Sequence, residues 1–234
     1  MKQIQLFLCL LLPTLLIAQS VNQLDSNGKR HGVWKKKFDK TNVTRYEGTF
    51  NHGKETGLFK FYKNINKKAV LTATKQFNEN NNVAEVTFYA SNGKVISKGN
   101  MNGKKYIGEW TYFHNKNNQI MTLEHYNSLG QLEGESLVYY LNGQVAEKRN
   151  YVDNNLDGLA TWYYENAQEM KHYTYKNNLL HGQAKFYDKN GVLTIEGQYK
   201  NDKKDGVWKY YKNGKLNEEK DFTQYSKNPY LKKE

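Results

Sequence analysis

A glycine followed by an aromatic cluster recurs along most of the chain. In the unit Gly206-Val-Trp-Lys-Tyr-Tyr211, apolar and polar side chains alternate as they do in a half-buried β-strand. Successive units begin 24 to 27 residues apart, a period typical of stacked supersecondary units. The eight starting residues are Gly32, Gly57, Ala84, Gly108, Gly134, Gly158, Gly182 and Gly206.

Each unit contains a second strand-like run after a turn, as in Thr194–Tyr199. Many of the turns carry Asn-Gly, which takes φ > 0 at both central positions of a tight hairpin. No window after residue 18 keeps a helical spacing of apolar residues without a break, and Pro13 and Pro229 are the only prolines. The pattern therefore predicts an all-β chain, a meander of about eight hairpins and sixteen short strands. The predicted Asn-Gly turns are Asn92-Gly93, Asn142-Gly143, Asn190-Gly191 and Asn213-Gly214.

Alternation along a strand assigns the side chains of each unit to two faces. The second and fourth residues after each start are mostly apolar, so these positions predict the core face. Trp→Ala at such a packed position typically costs about 3–5 kcal/mol of stability. The predicted core residues are Trp34, Phe59, Phe61, Phe88, Trp110, Tyr112, Trp162, Phe186, Trp208 and Tyr210.

The third and fifth residues of each unit form a wetter face with rows of Lys or Thr beside Tyr. Such rows can contact an anionic surface or polymer through their ammonium groups and rings. The alternative is that the lysine stems cover the tyrosine rings and keep the sheet soluble. The candidate ligand residues on this face are Lys35, Lys60, Tyr62, Tyr163, Lys185, Tyr187, Lys209 and Tyr211.

The unit Asp205–Gly214, with Glu196-Gly-Gln-Tyr199 before it, resembles the bacterial variant of the MORN repeat. The resemblance spans roughly residues 30–223, and Ala84 and Ser136 depart from its pattern. It implies an elongated, single-layer antiparallel sheet that acts as an interaction module, often a protein-binding scaffold. Some MORN proteins have been proposed to bind phosphoinositides, and bacterial members are often labelled as antitoxins of toxin–antitoxin systems. The family pattern is structural, so no catalytic residue carries over.

The N-terminal residues 1–18 differ from the rest of the chain. Lys2 precedes the apolar run Leu6–Ile17, and Ala18-Gln19 offers a cleavage site, which is the pattern of a secretory signal peptide. An uncleaved N-terminal anchor is the alternative. Cleavage would remove Cys9, the only cysteine, and would leave no thiol for a disulfide or a metal site. The expected localisation is therefore the periplasm or the cell exterior.

Charge narrows the classes of partner. The formal net charge is +12, and removal of residues 1–18 with Lys2 lowers it to +11. A basic exported chain attracts anionic lipid, polysaccharide and acidic proteins, whereas no nucleic-acid motif accompanies the charge. We expect residues 19–29 and the Lys-rich tail 224–234 to flank the repeat domain 30–223 and to protect its ends.

The side chains that could carry chemistry are dispersed. The six histidines lie along a long array, so turn histidines are a better account than a metal site. The pairs Glu133/Glu135 and Glu218/Glu219 could suggest a hydrolase, but no cleft or catalytic motif accompanies them. We therefore expect no enzyme activity, cofactor or metal. The favoured function is an exported protein-binding scaffold; the alternatives are a binder of anionic lipid or polysaccharide and an antitoxin-like inhibitor. The histidines are His31, His52, His114, His125, His172 and His181.

Overall fold

A computed structural model describes residues 20–223. The predicted signal peptide and the tail 224–234 lie outside the described residues. The described chain folds into eighteen β-strands without a helix. In chain order, β1 to β18 are Gln23–Leu24, Arg30–Lys37, Thr44–Asn51, Lys54–Ile65, Lys68–Phe77, Val83–Tyr89, Val95–Asn102, Lys105–Phe113, Ile120–Tyr126, Gly134–Tyr139, Val145–Val152, Asn155–Leu156, Gly158–Tyr163, Glu169–Lys176, Leu179–Tyr187, Leu193–Lys200, Lys203–Lys212 and Lys215–Asp221.

The strands form one open antiparallel sheet in which each strand pairs with its neighbours in sequence. Strands β12 and β13 are two pieces of one arm, because both pair with β11 and only Asp157 separates them. The arms after β1 therefore make eight hairpins. The predicted all-β meander of stacked hairpins in a single layer is confirmed.

The predicted geometry of the Asn-Gly turns is wrong for three of the four. Only Asn213-Gly214 has φ > 0 at both positions, with values of 50° and 72°. At Gly93, Gly143 and Gly191 the glycine alone is left-handed, and it closes a longer loop that is accompanied by a bulge in the pairing. The tight turns with two left-handed residues instead join successive hairpins, as at Asn177-Asn178.

An aromatic residue closes nearly every hairpin and lies across from the residue that starts it. Phe50 pairs with Gly32, Tyr126 with Gly108, and the pattern continues to the last unit. The starting glycines have φ between 64° and 107°, and nothing lies within 4 Å of an added Cβ at Gly32, Gly57 or Gly108. The left-handed backbone, and not a lack of space, therefore favours glycine at these starts. The closing residues are Phe50, Phe77, Met101, Tyr126, Tyr151, Tyr175, Tyr199 and Phe222.

The three largest fully buried side chains, Trp110, Trp208 and Phe59, are aromatic and lie over a glycine of the preceding strand. Trp110 is 0% exposed and Trp208 is 1% exposed, although the sheet has one layer. An added Cβ at Gly99 would lie 2.6 Å from the Trp110 ring, and Gly197 faces Trp208 in the same way. The indole Nε1 of Trp110 donates to the carbonyl of Asn100 at 2.9 Å. Each tryptophan is thus packed and hydrogen-bonded within one pair of strands.

Two units exchange the positions of the large and small side chains. Ala160 and Ala184 occupy the tryptophan position and are fully buried. Tyr173, on the strand between them, pairs with both alanines and fills the space above them. Burial is therefore kept constant along the array while the large residue moves from one strand to the next.

Hydrogen bonds between successive turns join the hairpins at one end of their strands. The Oδ1 of Asn178 accepts from the amide of Leu156 at 2.7 Å, and the amide of Asn178 donates to the carbonyl of Leu156 at 2.9 Å. The same pair of bonds joins Asn154 to Leu132 and Asp202 to Leu180. These junctions recur every 24 residues, and they fix the stacking of the later units.

The two ends of the sheet are finished differently. Residues of the predicted lead-in cover the outer edge of β2, where the Asn22 side chain accepts from the Lys35 amide at 2.7 Å and donates to its carbonyl at 3.2 Å. At the other end β18 is exposed at all seven residues and carries mostly charged side chains. A charged edge strand discourages pairing with another chain.

Candidate functional site

A single line of paired residues crosses the predicted wetter face, with one residue from each arm of the eight hairpins. Lysine and glutamate alternate at both ends of this line, and threonine and leucine predominate in the middle. We call it the central row. Its members are Lys35, Glu47, Lys60, Thr74, Thr87, Lys98, Thr111, Leu123, Leu137, Lys148, Thr161, His172, Lys185, Glu196, Lys209 and Glu219.

The candidate ligand lysines lie in the central row, but glutamates separate them. Glu47 lies between Lys35 and Lys60, and its carboxylate is 3.4 Å from the Lys35 Nζ. Glu196 pairs with Lys185 on one side and with Lys209 on the other. The two lysine pairs occupy opposite ends of the array and do not form one site. Interleaved carboxylates reduce the positive potential that a polyanion would meet there.

The candidate tyrosines lie beside the row and contact its members on the preceding strand. The Tyr62 hydroxyl donates to Glu47 at 2.6 Å, and the Tyr211 hydroxyl donates to Glu196 at the same distance. Burial and the bond to Glu47 raise the pKa of Tyr62 to about 12, and the Tyr62 hydroxyl lowers the pKa of Glu47. The Tyr187 ring lies 6.4 Å from the His172 ring. Tyr163 is half-buried on β13.

This face is less wet than the pattern predicts in the middle of the sheet. Thr111 and Thr161 are 8% and 3% exposed, and row residues on both flanking strands pair with each of them. Of the predicted core residues on the opposite face, Phe59, Trp110 and Trp208 are fully buried. The others are half-buried, because a single layer leaves their outer edges open: Trp34, Phe61, Phe88, Tyr112, Trp162, Phe186 and Tyr210.

The opposite face, which we call the aromatic face, carries cations directly over its rings. The Lys204 ammonium lies 4.1 Å from the Trp208 ring centroid and 5.0 Å from that of Phe222. The Lys171 ammonium lies 4.8 Å from Trp162, and the Arg30 guanidinium lies 5.1 Å from Trp34. Cation–π contact holds these charges on the aromatic face without carboxylate partners in the structure described for residues 20–223.

The middle of the aromatic face holds two sets of hydrogen-bonded polar side chains. Tyr126 donates to Glu124 at 2.6 Å, and the Tyr112 hydroxyl lies 3.4 Å from that of Tyr126. Two strands away, the Arg149 Nε donates to Glu147 at 2.6 Å. The guanidinium also reaches the Tyr151 hydroxyl at 3.4 Å. We call these six residues the polar centre: Tyr112, Glu124, Tyr126, Glu147, Arg149 and Tyr151.

Small neighbours make room for the polar centre. Ser136 replaces the tryptophan of other units and pairs across the strand with Arg149, which occupies the position that Gly99 and Gly197 hold elsewhere. The Arg149 side chain remains 39% exposed, whereas Glu147 is 13% exposed. The guanidinium can therefore reach a ligand while Glu147 holds it in place. Analysis of the sequence missed this group, although the change from the repeating glycine to Arg149 was a usable signal.

Most histidines and the pair Glu218/Glu219 are dispersed along the array, whereas Glu133 and Glu135 line one groove together with Glu109, Glu124 and His125. His52 hydrogen-bonds Asp25 at 2.6 Å and its ring lies 4.6 Å from that of His31, at the first junction between hairpins. Within residues 20–223, no group of three or more metal-binding side chains converges. Glu218 and Glu219 pair with Tyr210 and Lys209, on opposite faces of the sheet. The same residues include no helix with the length and apolar character needed to span a bilayer.

Comparison with known proteins identifies the repeat. The MORN repeat variant family matches at residues 132–153, 180–201 and 204–224, within the half of the sheet where the hairpin junctions are most regular. No curated protein was found to match. A solved structure with some similarity is a point mutant of S. aureus TarM in complex with fondaparinux, α-GlcNAc-glycerol and UDP, at 14% identity and a TM-score of 0.20. That match covers 62% of this chain, which spans about a fifth (22%) of the TarM chain. These three matches show MORN-variant repeats within residues 132–224, in the second half of the array of eight hairpins.

Proposed function

We propose that this MORN-repeat chain is an exported, non-enzymatic scaffold that binds a partner protein through its aromatic face. The observation that carries the proposal is that this face has no second layer over it within residues 20–223. Antiparallel sheets normally pack one face on a core. A large, partly exposed apolar face on a protein surface is typical of an interaction site.

Composition favours the aromatic face over the central row. Tyrosine, tryptophan and arginine are enriched in protein interfaces, whereas lysine and glutamate are depleted there. The aromatic face carries residues of the enriched types at Trp162, Tyr173 and Arg149, whereas the ends of the central row carry lysines and glutamates. A protein partner therefore fits the aromatic face better, and the central row fits the role of a solvated surface.

The polar centre gives this interface a means of specificity. Arg149 is held by Glu147 and Tyr151 and keeps donors free for a carboxylate or carbonyl oxygen of the partner. The rings around it exclude water from such a contact and strengthen it. A bond to a fixed guanidinium sets the register of the partner on an otherwise repetitive surface.

Export and location belong to the same proposal. The N-terminal pattern of Lys2, the apolar run Leu6–Ile17 and Ala18-Gln19 supports secretion to the periplasm or the cell exterior. An exported chain would meet partners in the envelope or outside the cell. A partner that is a toxin would make this protein an antitoxin-like inhibitor, and identification of the partner decides that point.

The test compares two adjacent residues that lie on opposite faces. Arg149→Asp changes the aromatic face, and Lys148→Asp makes the same charge change on the central row. Each tagged full-length chain is used to capture partners from envelope fractions of the native organism. We expect Arg149→Asp to abolish capture of a specific protein that wild type and Lys148→Asp retain.

Salt separates this proposal from its alternative. Capture through the aromatic face should persist at high ionic strength, because buried contacts are screened little. Binding of anionic lipid or polysaccharide through the lysines would weaken steeply with salt and would suffer most from Lys148→Asp. That second result would overturn the proposed protein interface.

A further inference from the structure

One corner of the sheet differs from the regular array and is strongly basic. It is formed by the 38–43 loop, which joins β2 to β3, and by the tip of the β4–β5 hairpin. This hairpin continues for four residue pairs beyond its bulge, to Ile65 and Lys68, whereas the last hairpin continues for two, to Lys212 and Lys215. The longer arms project past the neighbouring turns and stand beside the 38–43 loop.

The corner gathers seven exposed cations. Within residues 20–223, none of them has a carboxylate oxygen within the 4.0 Å of an ion pair. Glu47, the nearest glutamate in the first hairpin, is already bonded to Lys35 and Tyr62. Asp39 lies on the same loop but forms no ion pair with any of the seven, and it leaves an excess of six positive charges at the corner. The positive potential of this corner is therefore only slightly reduced internally, unlike that of the central row. The seven cations are Lys36, Lys37, Lys40, Arg45, Lys63, Lys67 and Lys68.

A groove of about 480 Å³ runs between the loop and the projecting hairpin. Lys40 and Lys67 stand on its two sides, one from the loop and one from the hairpin tip. Val43 is buried at 8% exposure and, with Ala69, supplies an apolar floor. A polar rim around an apolar floor offers separate contacts for charged and uncharged parts of a ligand.

We propose that this groove binds a short acidic segment of a partner protein, with an apolar side chain on Val43 and Ala69 and carboxylates beside Lys40 and Lys67. The apolar floor favours a peptide that alternates carboxylates with apolar side chains. No aromatic ring lines the groove, so it lacks the surface on which sugar rings stack. A flat membrane surface would meet the lysines but would not reach the floor between them.

This site is separate from the aromatic face and can fail or succeed independently of the proposed scaffold function. The probe is a fluorescent acidic peptide with a central leucine, Glu-Asp-Leu-Asp-Glu, titrated with the full-length protein and followed by anisotropy. A second peptide has serine in place of leucine. Vesicles of phosphatidylcholine and phosphatidylserine in equal parts, and heparin, serve as the competing anionic classes.

The variant K40E/K67E reverses both sides of the groove. Its matched control is K212E/K215E, which makes the same change of charge at the two-residue turn of the last hairpin, where both lysines are also exposed. We expect K40E/K67E to weaken binding of the leucine peptide on the order of tenfold or more, and the control to change it little. The serine peptide should bind wild type more weakly than the leucine peptide.

Three results would overturn the site. Equal losses in the two double variants would show that only net charge matters. Equal affinity for the two peptides would remove the apolar floor from recognition. Binding of vesicles or heparin that is lost in K40E/K67E, without binding of either peptide, would assign the corner to a different anionic class.

Discussion

The indole of Trp110 lies flat over Gly99 on the preceding strand. A Cβ at Gly99 would lie 2.6 Å from the ring, and the indole Nε1 is already bonded to the carbonyl of Asn100. The ring therefore cannot move outward without breaking that bond. Because φ at Gly99 is not in the left-handed region, the need for glycine here is purely steric.

The first prediction follows from this contact. Gly99→Ala should destabilise the protein by about 1–3 kcal/mol through overpacking. In a double-mutant cycle with Trp110→Ala, the two losses should be less than additive, because removal of the ring makes space for the methyl group. Urea unfolding of the four proteins measures this, and additive losses would contradict the contact.

The second prediction compares the two faces. Trp208→Ala should cost about 3–5 kcal/mol, because the ring is buried over Gly197 and held by a bond from Nε1 to the Gln198 carbonyl. Tyr163→Ala and Tyr187→Ala should cost less, since both rings are half-exposed on the opposite face. Urea melts of matched single variants provide the measurement. Equal losses would mean that the faces are assigned wrongly.

The third prediction concerns the junctions between hairpins. Asn178 has φ of 68° and bonds Leu156 through both its amide and its side chain. Asn178→Gly keeps the backbone conformation and removes two side-chain bonds, the one accepted from the Leu156 amide and the one donated to the Asn155 Oδ1, with an expected loss of about 1–3 kcal/mol. Asn178→Ala also incurs the left-handed strain of about 1–2 kcal/mol and should lose more. Thermal melts of the pair separate the two effects, and identical melts would exclude backbone strain.

The fourth prediction concerns acid. The hydrogen bond from His52 and the Lys29 amide lower the pKa of Asp25 below its ordinary value of 3.8. The contribution of the Asp25 carboxylate is therefore present above that value and lost as pH falls through the lower folded pKa. Wild type should exceed Asp25→Asn in urea midpoint at neutral pH, and the difference should shrink in strong acid. A difference that stays constant with pH would contradict the carboxylate contact.

The fifth prediction concerns processing of the N-terminus. The apolar run Leu6–Ile17 followed by Ala18 predicts cleavage between Ala18 and Gln19. Mass spectrometry of the exported protein should find its first residue at or near Gln19. An exported protein that keeps Met1 would favour the uncleaved anchor instead.

Much of the fold could be predicted because the same strand pattern recurs in eight units, so each unit supports the assignment of the others. The glycine starts, the alternation after them and the scarcity of proline were enough to predict eight hairpins in one sheet. The turn geometry was not, because Asn-Gly fits either a two-residue turn or a longer loop that ends in a left-handed glycine. The number of residues between the paired strands determines which of the two turns forms. The alternation of apolar and polar residues does not define the strand ends accurately enough to give that number.

The polar centre could not be predicted, because it depends on pairing across strands. Arg149 lies beside Lys148 in sequence, yet the two face opposite sides of the sheet and have different partners. Knowledge of the register is needed to see that Arg149 faces Ser136. The same holds for the central row. Glu47 and Glu196, which separate its lysines, lie on the second strand of their hairpins, and the repeat pattern assigned faces only to the first strand.

The 24-residue recurrence of the Leu–Asn junctions has a consequence for how such a chain can change in length. The junctions at Leu132, Leu156 and Leu180 offer each incoming hairpin the same pair of backbone groups. A unit copied in frame would meet a matching neighbour on either side, and one deleted in frame would leave matching neighbours behind. Gene duplication could therefore lengthen the array in whole steps while the two finished ends stay unaltered.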